Sequence, residues 1–492
     1  MFSRRNLLLI GTPAMALGCV TGYVLLSGRQ PEEEHSDNAL EPEERIAVDA
    51  TPAPDASEIA YVATATLPPF DWPWLFGPDG TSIINYPAEL AAWPAAGPPI
   101  LWRKPIGQGY SAPVIQDGKL IAFHRQGNEE RIECLDAQSG ERLWEFAYAT
   151  AYKSPVRYSD GPYSTPAIVG DRLFAIGAEA KLHCLNLAEG EPVWSRDLKA
   201  EFSLVDTNYG RQEFYGFCPS PLPLGNTLVI NVGGQESKAG IVAFDQSNGE
   251  TLWQATTDGA SYATPVAAKI DGALAAVVLT RDALVVLGAK DGNVLFREEF
   301  HSKNPDTTNA TSPVVSDEMI FVSGYGVGSM AVTVPGLELL DPAHEQSASS
   351  QSTSSGPCQP TVAVTDLEPT VLWRKHRGLD AQYTNLFKLD GVVIGYPSRL
   401  KGTLMTTDLA SGKTHWKLAT GYARGSGLFI NGELIVLNED GVLLRFDKLP
   451  EKPVLTSVIE GYLKGPCYTG PTFANGRMYL RTEEELVCVR LF

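Results

Sequence analysis

From residue 100 onward the apolar positions fall in short runs separated by turn residues, and the runs recur in one order. A Ser/Thr-Pro pair opens an apolar strand, and a Gly-containing turn leads to a second. A third ends near Asp, and a further Gly turn leads to a fourth that ends in Trp. One copy reads Ser111-Ala112-Pro113-Val114-Ile115, Asp117-Gly118-Lys119-Leu120-Ile121, Cys134-Leu135-Asp136, Ser139-Gly140-Glu141-Arg142-Leu143-Trp144. The next reads Ser164-Thr165-Pro166-Ala167-Ile168, Gly170-Asp171-Arg172-Leu173-Phe174, Cys184-Leu185-Asn186, Glu189-Gly190-Glu191-Pro192-Val193-Trp194. The period-2 alternation, as in Leu182-His183-Cys184-Leu185, predicts sheet strands.

Further copies run from Pro219 to Trp253 and from Thr264 to Phe296, where Phe replaces Trp. Another runs from Ser312 to Trp373 across a long insertion, and another from Asn385 to Trp416. A weaker one starts at Ser426, and the last starts at Gly470 and stops at Phe492. The anchors 102, 144, 194, 253, 296, 373 and 416 are spaced 42, 50, 59, 43, 77 and 43 residues apart. Spacings near 43 suit four-stranded propeller blades, and the longer ones require loop insertions. Residues 346–356, rich in Ser and Gln, read as a low-complexity loop. The predicted fold is therefore all-β, an eight-bladed β-propeller, with seven or fewer blades if the weak copy is miscounted. The last copy has three strands and no fourth. Ile100-Leu101-Trp102-Arg103-Lys104, which aligns with Arg142-Leu143-Trp144-Glu145, is expected to complete that blade and remove an open edge.

Trp102, Trp144, Trp194, Trp253, Trp373 and Trp416 are expected to wedge between neighbouring blades. Gly140, Gly190, Gly249 and Gly412 are expected to supply positive-φ turns. Cys134, Cys184 and Cys488 share one repeat position and read as small core hydrophobes. The 46 Gly and 35 Pro argue for many short strands joined by turns and against a helical bundle. A net charge of −19 disfavours a phosphate backbone, so no nucleic-acid partner is expected.

The N-terminus adds a location. Ser3-Arg4-Arg5 precedes an apolar run from Leu7 to Leu26, long enough to span a bilayer. The arginines before it and the acidic stretch after it keep the N-terminus in the cytoplasm and the bulk of the chain in the periplasm. Three readings stay open for residues 1–29. They are an uncleaved membrane anchor through 7–26, a lipoprotein signal with Cys19 as the lipidated residue, or a cleaved signal with a twin-arginine look. Residues 30–69 read as an acidic, disordered tether, and 70–99 as a lead-in packing on the propeller.

The repeat resembles that of the quinoprotein alcohol dehydrogenases, the PQQ-like β-propeller. It is similar both to those enzymes and to a non-catalytic propeller lipoprotein that assists outer-membrane β-barrel assembly. Trp72-Pro73-Trp74-Leu75-Phe76-Gly77-Pro78-Asp79-Gly80 also resembles the lead-in of exported propellers from planctomycete-type bacteria, with Phe76 where Arg is usual. The enzyme resemblance implies a quinone on the axis beside Ca²⁺, with a Glu, an Asn and an Asp at the metal and another Asp as base. No such trio aligns here, and the adjacent Cys pair of many such enzymes is missing. No HExxH motif and no P-loop occur. Gly233-Gly234 and Gly324-Tyr325-Gly326 read as turns, and His301, Asp306 and Asn309 as a polar loop.

No catalytic residue, cofactor or metal is therefore assigned. The loops 153–163 and 208–217 precede first strands and are expected to gather at one end of the axis. Arg157, Tyr158, Tyr163, Tyr209, Arg211, Phe214 and Tyr215 would form an aromatic, locally basic rim suited to a protein partner in the cell envelope. The expected function is a membrane-tethered, non-catalytic interaction scaffold. The alternative is a PQQ-dependent dehydrogenase.

Overall fold

The computed structural model describes residues 67–155, 158–204, 216–304, 307–340, 368–451 and 453–492. They form eight antiparallel sheets, the blades of a propeller, and one short helix, Leu198–Glu201. Blade 1 consists of Val114–Gln116, Lys119–Gln126, Glu129–Asp136 and Arg142–Ala149, paired in that order. Blade 2 consists of Ala167–Val169, Arg172–Ile176, Lys181–Asn186 and Pro192–Asp197. Blades 3 to 7 occupy 222–255, 266–299, 314–375, 387–419 and 425–459. The weak seventh copy is thus a full blade. Blade 8 joins Thr472–Ala474, Arg477–Arg481 and Glu485–Arg490 to Ile100–Pro105, with Trp102 opposite Cys488 and Lys104 opposite Leu486. The N-terminal strand closes the ring.

Burial follows strand rank. First strands touch the first strands of neighbouring blades around the axis. Second and third strands are buried almost throughout because blades cover both their faces, as in Arg172–Ile176 and Lys181–Asn186. Fourth strands alternate exposed and half-buried positions. The core lies between blades. Phe174 and Cys184 of blade 2 pack with Leu228, Val242 and Phe244 of blade 3, for example. Cys134, Cys184 and Cys488 are fully buried and unpaired, each opposite a Trp, and burial pushes their thiols up to about 12.

The Trp and the Gly turn of the repeat belong to one contact made between blades. Trp102 Nε1 donates to Ala137 O, Trp144 to Leu187 O, Trp194 to Gln246 O, Trp253 to Ala289 O, Trp373 to Leu409 O and Trp416 to Pro450 O. Every acceptor lies in the turn before the fourth strand of the next blade. Gly249, at φ +75°, shows why that turn needs glycine, since a Cβ there would lie 2.7 Å from the Trp194 ring. In the blades ending at Trp102, Trp144, Trp194, Trp253 and Trp373, a one-residue register shift precedes the Trp. The extra residue (Leu101, Leu143, Val193, Leu252 or Leu372) is turned outward to solvent.

Blades 4 and 7 lack the Trp, and in both cases the following blade departs from the repeat at the connection before its fourth strand. Phe296 of blade 4 faces blade 5, where a different, tighter turn opens the insertion, with Leu337 N donating to Val334 O at 3.1 Å. Leu337–Leu339 of that insertion pairs instead with Val266–Ile270 of blade 4, and Gly336 O accepts from Asp271 N at 3.0 Å. Blade 7 faces blade 8, whose fourth strand comes from the other end of the chain. There Tyr462 fills the gap, donating to Pro98 O at 2.6 Å beside Gly97.

Residues 67–99 circle the inner ends of the blades. Phe70 N donates to Asn475 Oδ1 of blade 8, and Trp72 exchanges 2.8 Å backbone bonds with Ile115 of blade 1. Pro73 O accepts from Ile168 N of blade 2. Leu75 and Phe76 border a cleft with Pro221 and Pro265 of blades 3 and 4, and Gly80 and Thr81 border one with Pro313 and Leu386 of blades 5 and 6. Ile83–Ile84 then pairs in parallel with Phe429 and Ile430 of blade 7, and Ala91 N reaches Leu491 O of blade 8. This circuit stops one end of the axis.

Across the closing strand, Arg103 meets Glu485 at 2.8 Å. Glu133 of blade 1 collects Lys104 at 3.7 Å, His124 at 3.8 Å and Arg142 at 3.3 Å. Burial pushes the Glu133 carboxyl up, but these partners outweigh it and hold it at about 2, against 4.5 when free. A depressed carboxyl contributes stability that is complete above the unfolded value and lost as pH falls through the folded one. Glu133→Gln is therefore expected to be less stable than the parent at pH 7, with the gap closing between pH 4.5 and 2. Urea melts across that range test it, and a gap that stays constant with pH contradicts it.

Candidate axial binding site

The end of the axis opposite the circuit opens into a cavity of about 590 Å³. Its lining follows the repeat. The residue just before the Pro of each copy, or before its replacement, lines the cavity: Ala112, Thr165, Ser220, Thr264, Ser312, Asn385, Ser426 and Gly470. The residue two positions earlier lines it too: Tyr110, Tyr163, Cys218, Tyr262, Ala310, Tyr383, Arg424 and Tyr468. Trp72, Leu75 and Phe76 line it from the stopped end.

The ring of Ser and Thr residues explains the Ser/Thr-Pro signature. A residue before Pro is held extended, which turns its N–H toward the next blade. Ala112 N donates to Thr165 Oγ1 (3.1 Å), Thr165 N to Ser220 Oγ (2.9 Å), Ser220 N to Thr264 Oγ1 (3.4 Å) and Thr264 N to Ser312 Oγ (3.0 Å). Gly427 N donates to Asn385 Oδ1 at 3.0 Å, and Thr472 Oγ1 ties blade 8 to Pro113 O of blade 1 at 2.9 Å.

The tyrosine ring forms an arc. Tyr110 meets Tyr163 edge-on at 5.3 Å and Tyr468 at 5.2 Å, and Tyr468 meets Tyr383 at 5.4 Å. Tyr158 stacks on Tyr468 at 5.0 Å and 24°. In blade 7 Arg424 takes the place of Tyr, lies 4.4 Å over the Tyr383 ring and donates to its hydroxyl at 2.8 Å. That hydroxyl donates in turn to Glu439, which pairs with Arg424 at 3.5 Å. Burial works against the Arg424 charge, but Tyr383 and Glu439 more than restore it. Burial, reinforced by neighbouring groups, pushes Tyr110, Tyr158, Tyr163 and Tyr383 well above the ordinary phenol range, so they remain protonated donors. Across the arc the wall is lower, with Cys218 and Ala310 flanking Tyr262.

Of the rim residues singled out in the sequence, Tyr158 and Tyr163 line this cavity. Arg157, Tyr209, Arg211, Phe214 and Tyr215 lie outside the described residues, as do Asp306, Cys19 and the apolar run 7–26. Among the described residues no helix is long and apolar enough to cross a membrane. Asn309 is buried and donates to Thr280 O and Phe300 O, while His301 is exposed and turned to Ser302 O, so these two do not converge. Among the described residues no three His, Cys, Asp or Glu side chains are grouped to hold a metal. The sequence reading missed Tyr110, Tyr262, Tyr383, Tyr468 and Arg424, which composition does not mark but the register of the repeat does.

A family model described as outer membrane protein assembly factor BamB matches residues 50–146 and 128–356, more than half of the chain. The chain belongs to this family of PQQ-like β-propellers. No curated protein matches it. Among solved structures, BamB from Moraxella catarrhalis shares the fold at 14% identity and a TM-score of 0.53, over 80% of this chain and 99% of that one. The quinohemoprotein alcohol dehydrogenase ADHIIG from Pseudomonas putida HK5 does so at 10% identity and 0.53, over 86% and 80%. The computationally designed Ika8 protein matches at 11% and 0.51, over 80% and 100%. These likenesses carry the fold and leave activity to be argued from the site.

Proposed function

We propose that the protein is a non-catalytic interaction scaffold of the cell envelope, tethered through its N-terminal segment and facing the periplasm. The observation that carries this reading is the donor set of the axial cavity. A calcium ion takes six to eight oxygens, carboxylates prominent among them, and the described lining holds Tyr, Ser, Thr, Asn, Gln and one paired Arg but no Asp or Glu. The described residues do not fit a quinone–calcium pair, and no reaction step is derived through one. Membership of the BamB family and the partly exposed Tyr158 and Tyr325 at the mouth support a protein partner. The partner would meet the rim at Tyr158 and Tyr163, together with the loop residues Arg157, Tyr209, Arg211, Phe214 and Tyr215. The rival reading, a PQQ-dependent dehydrogenase, has the fold likeness alone in its favour.

One preparation tests both. The tagged chain is extracted from its native membrane in mild detergent, its partners are identified, and PQQ with Ca²⁺ is added to assay dye reduction with alcohols. A stoichiometric envelope partner, lost on Tyr158→Ala, without quinone-dependent dye reduction, is the expected result. Dye reduction that requires both quinone and calcium would overturn the proposal.

A further inference from the structure

We infer that the axial cavity is a binding site for a neutral saccharide. The inference goes beyond the scaffold reading and does not rest on it, because it is argued from the cavity's own lining, of which a partner at Tyr158 and Tyr163 would share only the outer part. Seven of the chain's 18 tyrosines line this one cavity, a concentration that closing the ring does not require, because blades 3 and 5 close with Cys218 and Ala310 at the same repeat position. The volume lies within the roughly 300–1,000 Å³ of ligand pockets.

The chemistry of the two rings selects the ligand class. Tyrosine rings offer flat apolar faces with a polar tip, suited to the C–H face of a pyranose. Below them Thr165, Ser220, Thr264 and Ser312 each accept one backbone N–H from the neighbouring blade. A hydroxyl that accepts keeps its own proton to donate, so these four present donors around the axis to an oxygen-rich ligand. The charge is balanced, because Arg424 is paired with Glu439, which disfavours an anionic ligand. An aromatic groove also suits a proline-rich peptide, but a running chain needs two open ends. Here Trp72, Leu75 and Phe76 stop one of them, which favours a compact ligand.

The full chain in mild detergent is titrated with cellobiose, maltose and N,N′-diacetylchitobiose, followed by saturation-transfer NMR and calorimetry, with decaproline as a peptide probe. At least one disaccharide is expected to bind with saturation on its ring C–H protons. Binding should weaken at least tenfold in Tyr468→Ala and in the partly exposed Tyr325→Ala, and survive in Tyr468→Phe and in Tyr422→Ala outside the cavity. Thermal melts identify any variant that fails to fold, and Tyr325→Ala keeps the test valid if Tyr468→Ala does. Failure of all three sugars to bind the folded parent overturns the inference. So does binding that persists in the folded tyrosine variants, or decaproline binding in place of sugar.

Discussion

A chain that begins at residue 107 is expected not to form a stable monomer, whereas one that begins at residue 67 is expected to melt cooperatively. Removing Ile100–Pro105 strips the fourth strand from blade 8 and leaves Glu485–Arg490 as an open edge. It also removes Trp102, a half-buried residue whose loss costs up to about 3 kcal/mol, the low end for core aromatics, against a total stability of about 5–15 kcal/mol. The exposed edge invites pairing with a second copy, so the short chain should elute as aggregate or exchange-linked oligomer. A chain that begins at residue 98 separates the two contributions. It keeps the closing strand but loses the circuit of 67–97, including the Trp72–Ile115 and Tyr86–Asn431 bonds, and should fold with a lower melting temperature. Size exclusion, near-UV circular dichroism and thermal melts distinguish these outcomes. A chain from residue 107 that stays monomeric and melts with the chain from residue 67 would show that closure by this strand is dispensable.

Most blades were legible because each is a local event, with four strands and their turns within about 43 residues, blade 5 with its insertion and blade 8 with its remote strand being the exceptions. Closure was legible because the last copy lacked a strand that the N-terminal segment could supply. The absent Trp in blades 4 and 7 was visible as an irregularity, but what accompanies it was not. The accompanying change lies in the next blade, where an altered turn ahead of an insertion, or the two ends of the chain, stand in place of the turn that a Trp docks on elsewhere. Leu337–Leu339 escaped for a similar reason, since a three-residue strand pairing with Val266–Ile270 carries no periodicity of its own. The site was half-legible. Composition pointed to Tyr158 and Tyr163 as members of a Tyr-rich loop, yet Tyr110, Tyr262, Tyr383 and Tyr468 stand alone in their loops. Only their shared distance from the Ser/Thr-Pro pair places them on one ring, and that register matters because every copy meets the same axis.

Trp253→Ala is expected to cost about 3–5 kcal/mol. This residue is the most enclosed of the six blade tryptophans, at 8% exposure, packed among Ile241, Ala243 and Ala289 with its Nε1 2.9 Å from Ala289 O. Truncation opens a cavity between blades 3 and 4 and leaves the Ala289 carbonyl without its donor. Trp253→Phe separates these effects. It retains most of the apolar fill and loses the bond, for which about 1 kcal/mol is the ordinary cost. The reciprocal change tests the pairing of Trp with turn. Phe296→Trp restores the repeat's consensus in blade 4, but the carbonyl at the matching place in blade 5, Val334 O, already accepts from Leu337 N at 3.1 Å, so the added indole N–H meets an occupied acceptor and no stabilisation is expected. Urea melts of the three variants against the parent give the order. If Phe296→Trp stabilised the chain as much as Trp253→Phe destabilised it, the Trp would be acting as bulk between blades and the turn carbonyl would be incidental.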